Sequence, residues 1–559
     1  MIRKFFSFFG AEVKGLHEAA YLLAFFGLAA DVLGIIRDRL LASYFGAGPV
    51  LDTYYAAFRV SDLIFVTVSS VVAVSVLIPF LIEKLDKGHD VGAKFINDIF
   101  TIFFLTIIIV SVVVYFFMPE IIMRTLPGLA KGLEGEHLIV MSRIMLLSPI
   151  LLGISNLFGS ITQVGKKFAL YAVSPLLYNI GIIVGVVVFY PMWGIYGLVW
   201  GVVFGAVMHA GIQIPSLVRS GFMPRFSFYI DFSSLRQTLT LSVPRTIALG
   251  ANQLSTFFLI SLASLMATGS IAIFNFAWNL QSVPQGIIGV SYSLAAFPSL
   301  AGFITRGERD KFIAHLGEAC RHIVFWSMPV TVLFIVLRAQ VVRVILGAGQ
   351  FSWSDTRLTA AALAIFSVSV AAQSLLLLIV RGYYAASDTR TPLVVNVFCS
   401  VLIVVLAYVL DKTYYSFDMM RWFFESLLKV DGLQGTGVLM LPLAYSIGTI
   451  LNLVLHLISF EWHFGKLTKT FSRAFWQSLS ASIIMGFVAY LSLNVYGNVI
   501  NLTTTWGIFL QGFAAGITGI LAGIVVLYGI KNEEIEQVRK TLHSKIWKAK
   551  VVVPEQAQL

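Results

Sequence analysis

The sequence predicts an all-α polytopic membrane protein. Of its 559 residues, 58% are hydrophobic and only 12% are charged, and the mean hydropathy is +0.87. Soluble domains carry roughly 25% charged residues, about twice this share. Apolar runs of about 20 residues, the length that crosses a bilayer as a helix, recur between residues 18 and 530. The composition and the spacing of these runs therefore predict about fourteen transmembrane helices.

The chain also contains an internal repeat. Three pairs of segments match in the same order, aromatic on aromatic and small on small: 48–81 with 269–300, 159–177 with 382–400, and 193–201 with 433–441. Each repeat covers six predicted spans, an even number, so both repeats cross the membrane in the same direction. We therefore predict two six-helix lobes related by a pseudo-twofold axis along the membrane normal, followed by two extra C-terminal helices.

The apolar runs and the repeat together give the predicted domain boundaries. The start of the chain is basic but continues through Glu12 and Lys14 into a longer apolar run, which is typical of an interfacial segment and not of a cleaved signal peptide. The predicted parts are an interfacial segment at 1–17, a first lobe at 18–217, a cytoplasmic linker at 218–240, a second lobe at 241–460, two lipid-groove helices at 461–530 and a basic cytoplasmic tail at 531–559.

Lysine and arginine concentrate in alternate loops, which predicts the orientation. Pairs such as Lys166 with Lys167 and Arg306 with Arg309 fall on the same side of the predicted membrane. Cytoplasmic loops carry the excess of these residues, so both termini are expected in the cytoplasm. The same bias explains the net charge of +11 without a nucleic-acid partner. We expect a multi-pass monomer whose other partners are membrane lipids.

Charged residues cluster between and within the first two spans, in residues 31–62 (DVLGIIRDRLLASYFGAGPVLDTYYAAFRVSD). An ionisable group inside a span costs a few kcal/mol, so it usually faces a bundle interior or a wet cavity. The segment therefore predicts helices that line a polar cavity for a charged cargo. Its ionisable residues are Arg37, Arg39, Arg59, Asp31, Asp38, Asp52 and Asp62.

Other chemistry has little support in the sequence. The nine histidines do not pair at metal-ligand spacing, Cys320 and Cys399 lie far apart, and no GxxxxGK[ST] loop occurs. We therefore expect no metal, no cofactor and no ATP-driven pump. The acidic loop at 411–434 leaves open a lipid-glycan-processing enzyme, although such an enzyme needs a positioned carboxylate base or a metal site.

Three motifs carry a resemblance to a known family. The run LGIIRDRLLASYFGAGPVLDTYYAAFRV (33–60) resembles the N-terminal signature of the MurJ (MviN) lipid II flippases, in the multidrug/oligosaccharidyl-lipid/polysaccharide exporter superfamily. Residues 269–300 resemble the eighth helix of that family, and YYAASDTRTP (383–392) resembles the loop before its eleventh helix. The resemblance implies a cationic cavity between two lobes and a groove for a long lipid tail. It also implies transport of the undecaprenyl-diphosphate-linked peptidoglycan precursor from the inner to the outer leaflet of the bacterial plasma membrane.

Such a cargo carries a diphosphate and an acidic peptide, which arginine binds through bidentate hydrogen bonds. Asp38 and Asp52 are expected to hold the arginines in an empty cavity and to release them when cargo arrives. Each arginine could instead form an ion pair that only stabilises packing. The predicted substrate-binding residues are Arg37, Arg39, Arg59, Arg245 and Asn279.

Three departures from the family pattern keep alternatives open. Asp31, Phe65 and Asn279 stand where many members carry arginine. Either Arg59 and Arg245 compensate, or the cargo is another lipid-linked oligosaccharide. A cation-coupled exporter of small molecules on the same fold is a further alternative, although a cationic first lobe and two extra spans suit it less well.

Overall fold

The computed structural model describes residues 16–69, 74–231, 247 and 250–547. This part of the chain consists of helices and their connections and contains no β-strand. Most of the predicted interfacial segment at 1–17 and the end of the basic tail lie outside it. The helices, in chain order, are α1 (Leu16–Phe45), α2 (Pro49–Val68), α3 (Val74–Asp86), α4 (His89–Thr125), α5 (Gly132–Val164), α6 (Phe168–Trp193), α7 (Ile195–Ser220), α8 (250–264), α9 (Ser270–Thr305), α10 (Arg309–Val336), α11 (Arg338–Ile345), α12 (Trp353–Ser367), α13 (Val370–Ala385), α14 (Arg390–Ser416), α15 (Asp418–Leu428), α16 (Thr436–Phe464), α17 (Thr468–Gly497), α18 (Thr505–Gly529) and α19 (Glu533–Trp547).

The prediction of an all-helical membrane fold is confirmed. Among the described residues, 10 helices are long and apolar enough to cross a membrane, and the pair α12 and α13, bent by 42°, raises this to 11. Helices α1, α2 and α8 overlap predicted spans but are not among the ten. The count of fourteen therefore stays a prediction.

The chain forms two compact units, each assembled from separate segments. The first unit comprises Met1–Val283, Val342–Phe366 and Asp388–Asn452, and the second comprises Pro284–Val341, Ser367–Ser387 and Leu453–Leu559. The six-helix lobes and their boundaries, which the repeat predicts, remain a prediction.

Glycine stripes bring α6 and α7 into close contact in the first unit. Gly181 and Gly185 of α6 face Gly201 and Gly205 of α7, and a Cβ atom at Gly185 would lie 2.6 Å from the Cα atom of Gly201. Small residues four apart allow two helix backbones to approach within van der Waals contact, which is how helices associate in a bilayer. Packing of this kind places α6, and hence Asn179, against its neighbours.

The second unit has an apolar core of its own. Phe312 and Leu316 of α10 pack with Tyr383 of α13 and Phe460 of α16, and all four are fully buried. In the same unit, α17 and α18 approach closely because glycines of α18 contact residues of α17 such as Met485. Large side chains on one helix therefore meet glycines on the next, as efficient packing requires.

Candidate functional site

Arg37 is the centre of a polar cluster in the first unit. Its Nη2 atom lies 2.8 Å from Oδ1 of Asp38, and its Nη1 donates a 3.0 Å hydrogen bond to Oδ1 of Asn179 in α6. The second oxygen of Asp38 accepts a 2.9 Å hydrogen bond from Nδ2 of Asn279 in α9. The Arg37 side chain is 22% exposed and that of Asp38 only 7%. The predicted partnership of Arg37 and Asp38 is thus present, and it links α1, α6 and α9.

Arg59 is more deeply buried and has fewer partners. Its Nη2 donates to Oδ1 of Asn275 at 2.5 Å, while the nearest carboxylate, Asp62, lies 4.0 Å from Nη1. The buried Nε–H group of Arg59 has no hydrogen-bond partner among the described residues. A guanidinium offers five donors, and a buried donor without a partner costs free energy. Arg59 therefore has spare capacity for an anion.

Asp52 binds a helix end and not an arginine in this structure. Its Oδ2 accepts a 2.5 Å hydrogen bond from the backbone N–H of Gly269, and its Oδ1 accepts a 2.8 Å bond from Ala272. These amides belong to the start of α9, where the helix dipole favours a negative charge. Asp52 is 3% exposed. The expected arginine contact of Asp52 is replaced here by a contact that fastens α2 to the start of α9.

Arg39 likewise has a different partner from the one expected of a cargo residue. Its Nη1 donates to the carbonyl oxygens of Val344 at 2.5 Å and Ile345 at 3.1 Å. These carbonyls lie at the C-terminal end of α11, where the free carbonyls and the helix dipole attract cations. In this arrangement Arg39 caps a helix, and its predicted contact with cargo stays a prediction.

The turn between α1 and α2 explains part of the FGAG motif. Gly46 has φ +61, and a Cβ atom there would lie 2.7 Å from the carbonyl oxygen of Gln350. The N–H of Gln350 donates to the carbonyl of Ser43 at 2.9 Å, and the N–H of Ala47 donates to Asp355 at 3.4 Å. A left-handed backbone at such a close approach favours glycine. The motif therefore positions the helices that carry the arginines.

The remaining predicted positions are only partly visible. Arg245 lies outside the described residues. Asp31 is exposed on α1, and Phe65 is half-buried on α2. Of Asp31, Phe65 and Asn279, Asn279 is the one that bonds to the cluster within the described part of the chain, through Asp38.

The cluster also contains two residues that the sequence patterns did not indicate, Asn179 and Asn275. Asn275 precedes Asn279 by one helical turn, so both lie on the same face of α9. That spacing is a signal that could have been used. Asn179 stands alone in an apolar segment, where nothing in the local sequence distinguishes a ligand from a core amide.

Glu425, in the loop at 411–434, accepts several hydrogen bonds, and these contacts argue against a role as a general base. Its Oε1 accepts hydrogen bonds from Nε of Arg421 at 2.9 Å, Oγ1 of Thr436 at 2.8 Å and the hydroxyl of Tyr414 at 3.2 Å. Burial raises the pKa of Glu425, but the bonds from Arg421, Thr436 and Tyr414 outweigh it and hold the pKa below its usual value. A carboxylate held in this way is a structural anchor and a poor general base.

The arrangement can bind anions by exchange of partners. Arg37 is paired with a carboxylate that Asn279 can hold, and Arg59 lacks a close carboxylate. A phosphate or carboxylate of a ligand could replace Asp38 on Arg37 and occupy the free donors of Arg59. Among the described residues, no group of three or more His, Cys, Asp or Glu side chains could hold a metal ion.

The sequence matches one family of known proteins over most of its length. The model of the family described as "Lipid II flippase MurJ" matches residues 41–514. A probable lipid II flippase MurJ of Rickettsia prowazekii is 26% identical over 393 residues, which cover 69% of this chain and 76% of that protein. The lipid II flippase MurJ of Burkholderia cenocepacia is 25% identical over 397 residues, covering 70% and 77%.

The fold agrees with this match. A solved structure of lipid II flippase MurJ in an inward closed conformation superimposes with a TM-score of 0.73 at 22% identity, covering 92% of this chain and all of that one. An inward-facing MATE family transporter of the MOP superfamily superimposes with a TM-score of 0.62 at 16% identity, covering 79% of this chain and 96% of that one. The family is one of lipid flippases and not of enzymes. By its sequence, this chain belongs to the MurJ family.

Proposed function

We propose that this protein is a flippase that moves lipid II, the undecaprenyl-diphosphate-linked precursor of peptidoglycan, from the inner to the outer leaflet of the bacterial plasma membrane. The observation that carries the proposal is the pair of arginines on α1 and α2. Arg37 is held by a partner that can be exchanged, and Arg59 is buried with an unused donor. An intramembrane cation with spare donors suits a diphosphate.

Transport by alternating access would use these contacts in sequence. In the empty protein, Asp38 neutralises Arg37 while Asn179 and Asn279 complete the network. A diphosphate entering the cavity would take over Arg37, because phosphate oxygens offer the same bidentate acceptors as a carboxylate. Asn279 would then retain Asp38. When the cargo leaves, the ion pair re-forms and the site is reset.

The simplest energy source for the cycle is the membrane potential acting on the negative charge of the cargo. Lipid II is anionic, and moving one elementary charge through a membrane potential of 100 mV is worth about 2.3 kcal/mol. The cluster itself contains acids that are committed to partners, Asp38 to Arg37 and Asp52 to the start of α9. We therefore favour the membrane potential over a coupling-ion site at these carboxylates.

A second candidate cargo is another lipid-linked oligosaccharide. The observation in its favour is Asn279, an amide in place of the arginine of many relatives. Here it contacts an acid of the protein and no cation. A cavity with fewer cations would suit a less anionic headgroup. An exporter of small cations fits worse, because the unused hydrogen-bond donor of the cluster belongs to Arg59, a cation that would repel a cationic cargo.

We also infer that both termini are cytoplasmic and that the protein works as a monomer. The lysine and arginine bias of the loops supports the orientation. Single cysteines introduced into a variant without Cys320 and Cys399 test it by labelling intact cells from outside. Labelling at position 390 but not at 418 would show that the orientation is the opposite of the predicted one. The predicted cytoplasmic positions are Lys166, Arg390 and Lys469, and the predicted external ones are Glu134, Asp418 and Asn498.

The decisive experiment compares cargoes on the purified full-length protein. Binding of lipid II is measured beside an undecaprenyl-diphosphate-linked glycan without an acidic peptide and beside a small cationic drug. Tight binding of lipid II alone, together with its transfer across the bilayer of proteoliposomes, is the expected result. Equal binding of the diphosphate-linked glycan that lacks the acidic peptide would favour the second cargo. Binding of the drug alone would refute the proposal.

A further inference from the structure

A groove opens on the surface of the first unit between α4, α5 and α7. It is lined by none of the residues of the arginine cluster, which are Arg37, Asp38, Arg59, Asn179, Asn275 and Asn279. Its volume is about 680 Å³, and its lining includes Val112 of α4, Ile150 of α5 and Trp200 of α7. The lining is otherwise apolar apart from Ser111 and one cation, Arg143 of α5. Phe116 at its edge is 71% exposed and Val112 is 49% exposed. On a membrane helix, apolar side chains this exposed face lipid.

Arg143 has no acidic partner in this groove. Its Nε donates a 3.1 Å hydrogen bond to the carbonyl oxygen of Tyr115, and its guanidinium lies 4.6 Å from the centre of the Tyr115 ring. No carboxylate of the described residues lies within 4.0 Å of it, and its other N–H groups donate to no described residue. A lipid-facing arginine without a counter-ion is costly in hydrocarbon. The groove thus contains an unneutralised positive charge.

Arg143 lies about two helical turns from charged residues near the start of α5. Near the connection of α4 and α5, Glu120 and Arg124 form an exposed ion pair at 2.7 Å, and Glu136 lies in the first turns of α5. At 1.5 Å per residue, Arg143 lies about 10 Å below Glu136 along the helix. A side chain of this length can extend back toward the membrane surface. Extended in this direction, its guanidinium would lie near the boundary between the headgroups and the hydrocarbon.

A second polar group lies deeper in the same groove. Ser111 is 6% exposed, and its hydroxyl has no hydrogen-bond partner among the described residues. It precedes Tyr115 by one turn of α4, about 6 Å along the helix. In a phospholipid, the ester carbonyl groups follow the phosphate toward the hydrocarbon. A buried hydroxyl below a cation thus matches the order of polar groups in such a lipid.

We infer that this groove is a binding site for an anionic membrane phospholipid such as phosphatidylglycerol. The phosphate pairs with Arg143, an ester carbonyl accepts from Ser111, and an acyl chain lies along the apolar lining. The positive charge selects the anionic headgroup, while the apolar walls bind any chain of suitable length. The inference does not depend on the cargo of the transporter.

Lipid titration of the purified full-length protein, followed by native mass spectrometry, tests the site. Phosphatidylglycerol and zwitterionic phosphatidylethanolamine with the same acyl chains are compared. Arg143→Met removes the charge and keeps the bulk, and Arg143→Lys keeps the charge. Arg124→Met, on the exposed end of α4, is the matched control. We expect Arg143→Met to weaken phosphatidylglycerol binding about tenfold, the scale of one charged hydrogen bond. Phosphatidylethanolamine also carries a phosphate, but its ammonium group offsets that charge, so its binding should weaken less than that of phosphatidylglycerol.

The remaining outcomes are distinguishable. Arg143→Lys should bind phosphatidylglycerol better than Arg143→Met, and Arg124→Met should bind like the wild type. Val112→Trp fills the groove without removing the charge, so it should weaken the binding of both lipids. This variant keeps the inference testable if Arg143→Met does not fold. Inorganic phosphate should not compete. Equal binding of phosphatidylglycerol to Arg143→Met and to the wild type would overturn the inference. Occupation of the groove by a helix of another protein would overturn it as well.

Discussion

Two sites with buried charges, one in each unit, are built differently. In the second unit, Nε of Arg321 lies 3.3 Å from Oε1 of Glu534, and Nη1 of Arg321 donates to the carbonyl of Thr470 at 3.2 Å. The Glu534 side chain is 3% exposed, and the pair joins α10 to α19. In the first unit, Arg59 lies 4.0 Å from its nearest carboxylate and keeps an unused donor. Arg321 thus has a close carboxylate partner, whereas Arg59 does not.

The difference indicates which charges are structural and which serve a ligand. A matched pair recovers part of the cost of removing two charges from water, and losing either partner destabilises the protein. An incompletely matched cation carries that cost in the empty protein and recovers it when an anion binds. Residues in the second unit's pair should therefore affect folding, and those of the arginine cluster should affect transport. Substitutions at both sites can test that division.

The largest expected effect is on transport in Arg37→Ala and Arg59→Ala. Each removes a proposed contact to the diphosphate, so lipid II transfer in proteoliposomes should be abolished while the protein still accumulates in the membrane. Arg37→Lys should restore only part of the activity, because lysine lacks the bidentate fork. Immunoblots of membranes provide the control. Loss of the protein itself would show that these arginines are structural, like the pair in the second unit.

Arg245→Ala should have the next largest effect, on binding of lipid II. Arg245 lies near the start of the predicted second lobe at 241–460 and would supplement Arg37 and Arg59, since Asn279 stands where many members of the family carry arginine. We expect a loss of about 1.5–3 kcal/mol in lipid II affinity in detergent, the scale of a hydrogen bond to a charged group. Asn279→Arg should be tolerated, because Asp38 can pair with it. Unchanged affinity in Arg245→Ala, beside a clear loss in Arg37→Ala, would favour a less anionic cargo.

Glu534→Gln should lower stability and leave lipid II affinity unchanged. The substitution leaves Arg321 without its carboxylate, but the Arg321 side chain is 29% exposed, so water compensates in part. We expect a loss of about 1–2 kcal/mol, less than for a fully buried pair, seen as a lower melting temperature of the purified protein. Lys540→Ala, at an exposed ion pair of α19, is the control and should change little. A drop in lipid II affinity would contradict the view that this pair affects folding and the arginine cluster affects transport.

Asp52→Ala should have the smallest effect of the four. It removes the acceptor for two backbone amides at the start of α9, which typically costs about 1 kcal/mol for a lost helix cap. Transport should be reduced and not abolished, with a steeper loss at high temperature. Activity measured at two temperatures beside Arg37→Ala checks this. Complete loss at both temperatures would restore the view of Asp52 as a direct switch.

The sequence determined the class of this protein and the place of its charges. Hydropathy and apolar spacing suffice for an all-helical membrane fold, because a bilayer admits only segments that satisfy their own backbone hydrogen bonds. The charged segment at 31–62 could be located for the same reason, since charge is rare and costly in that setting. The motif at 33–60 also indicated the family, because a continuous run of residues can be compared without knowing how the helices pack.

Only the tertiary structure decided which partner each charge meets. Arg37 and Asn179 are 142 residues apart, Arg59 and Asn275 are 216 apart, and Arg39 meets a carbonyl 305 residues away. Hydrophobic periodicity encodes which face of a helix is buried, but not which helix covers it. Asp52 was therefore expected to pair with an arginine, whereas helix packing brings the amides at the start of α9 to its carboxylate. A hydrogen bond requires atoms to meet within a few tenths of an ångström, and only the packed helices fix positions to that precision.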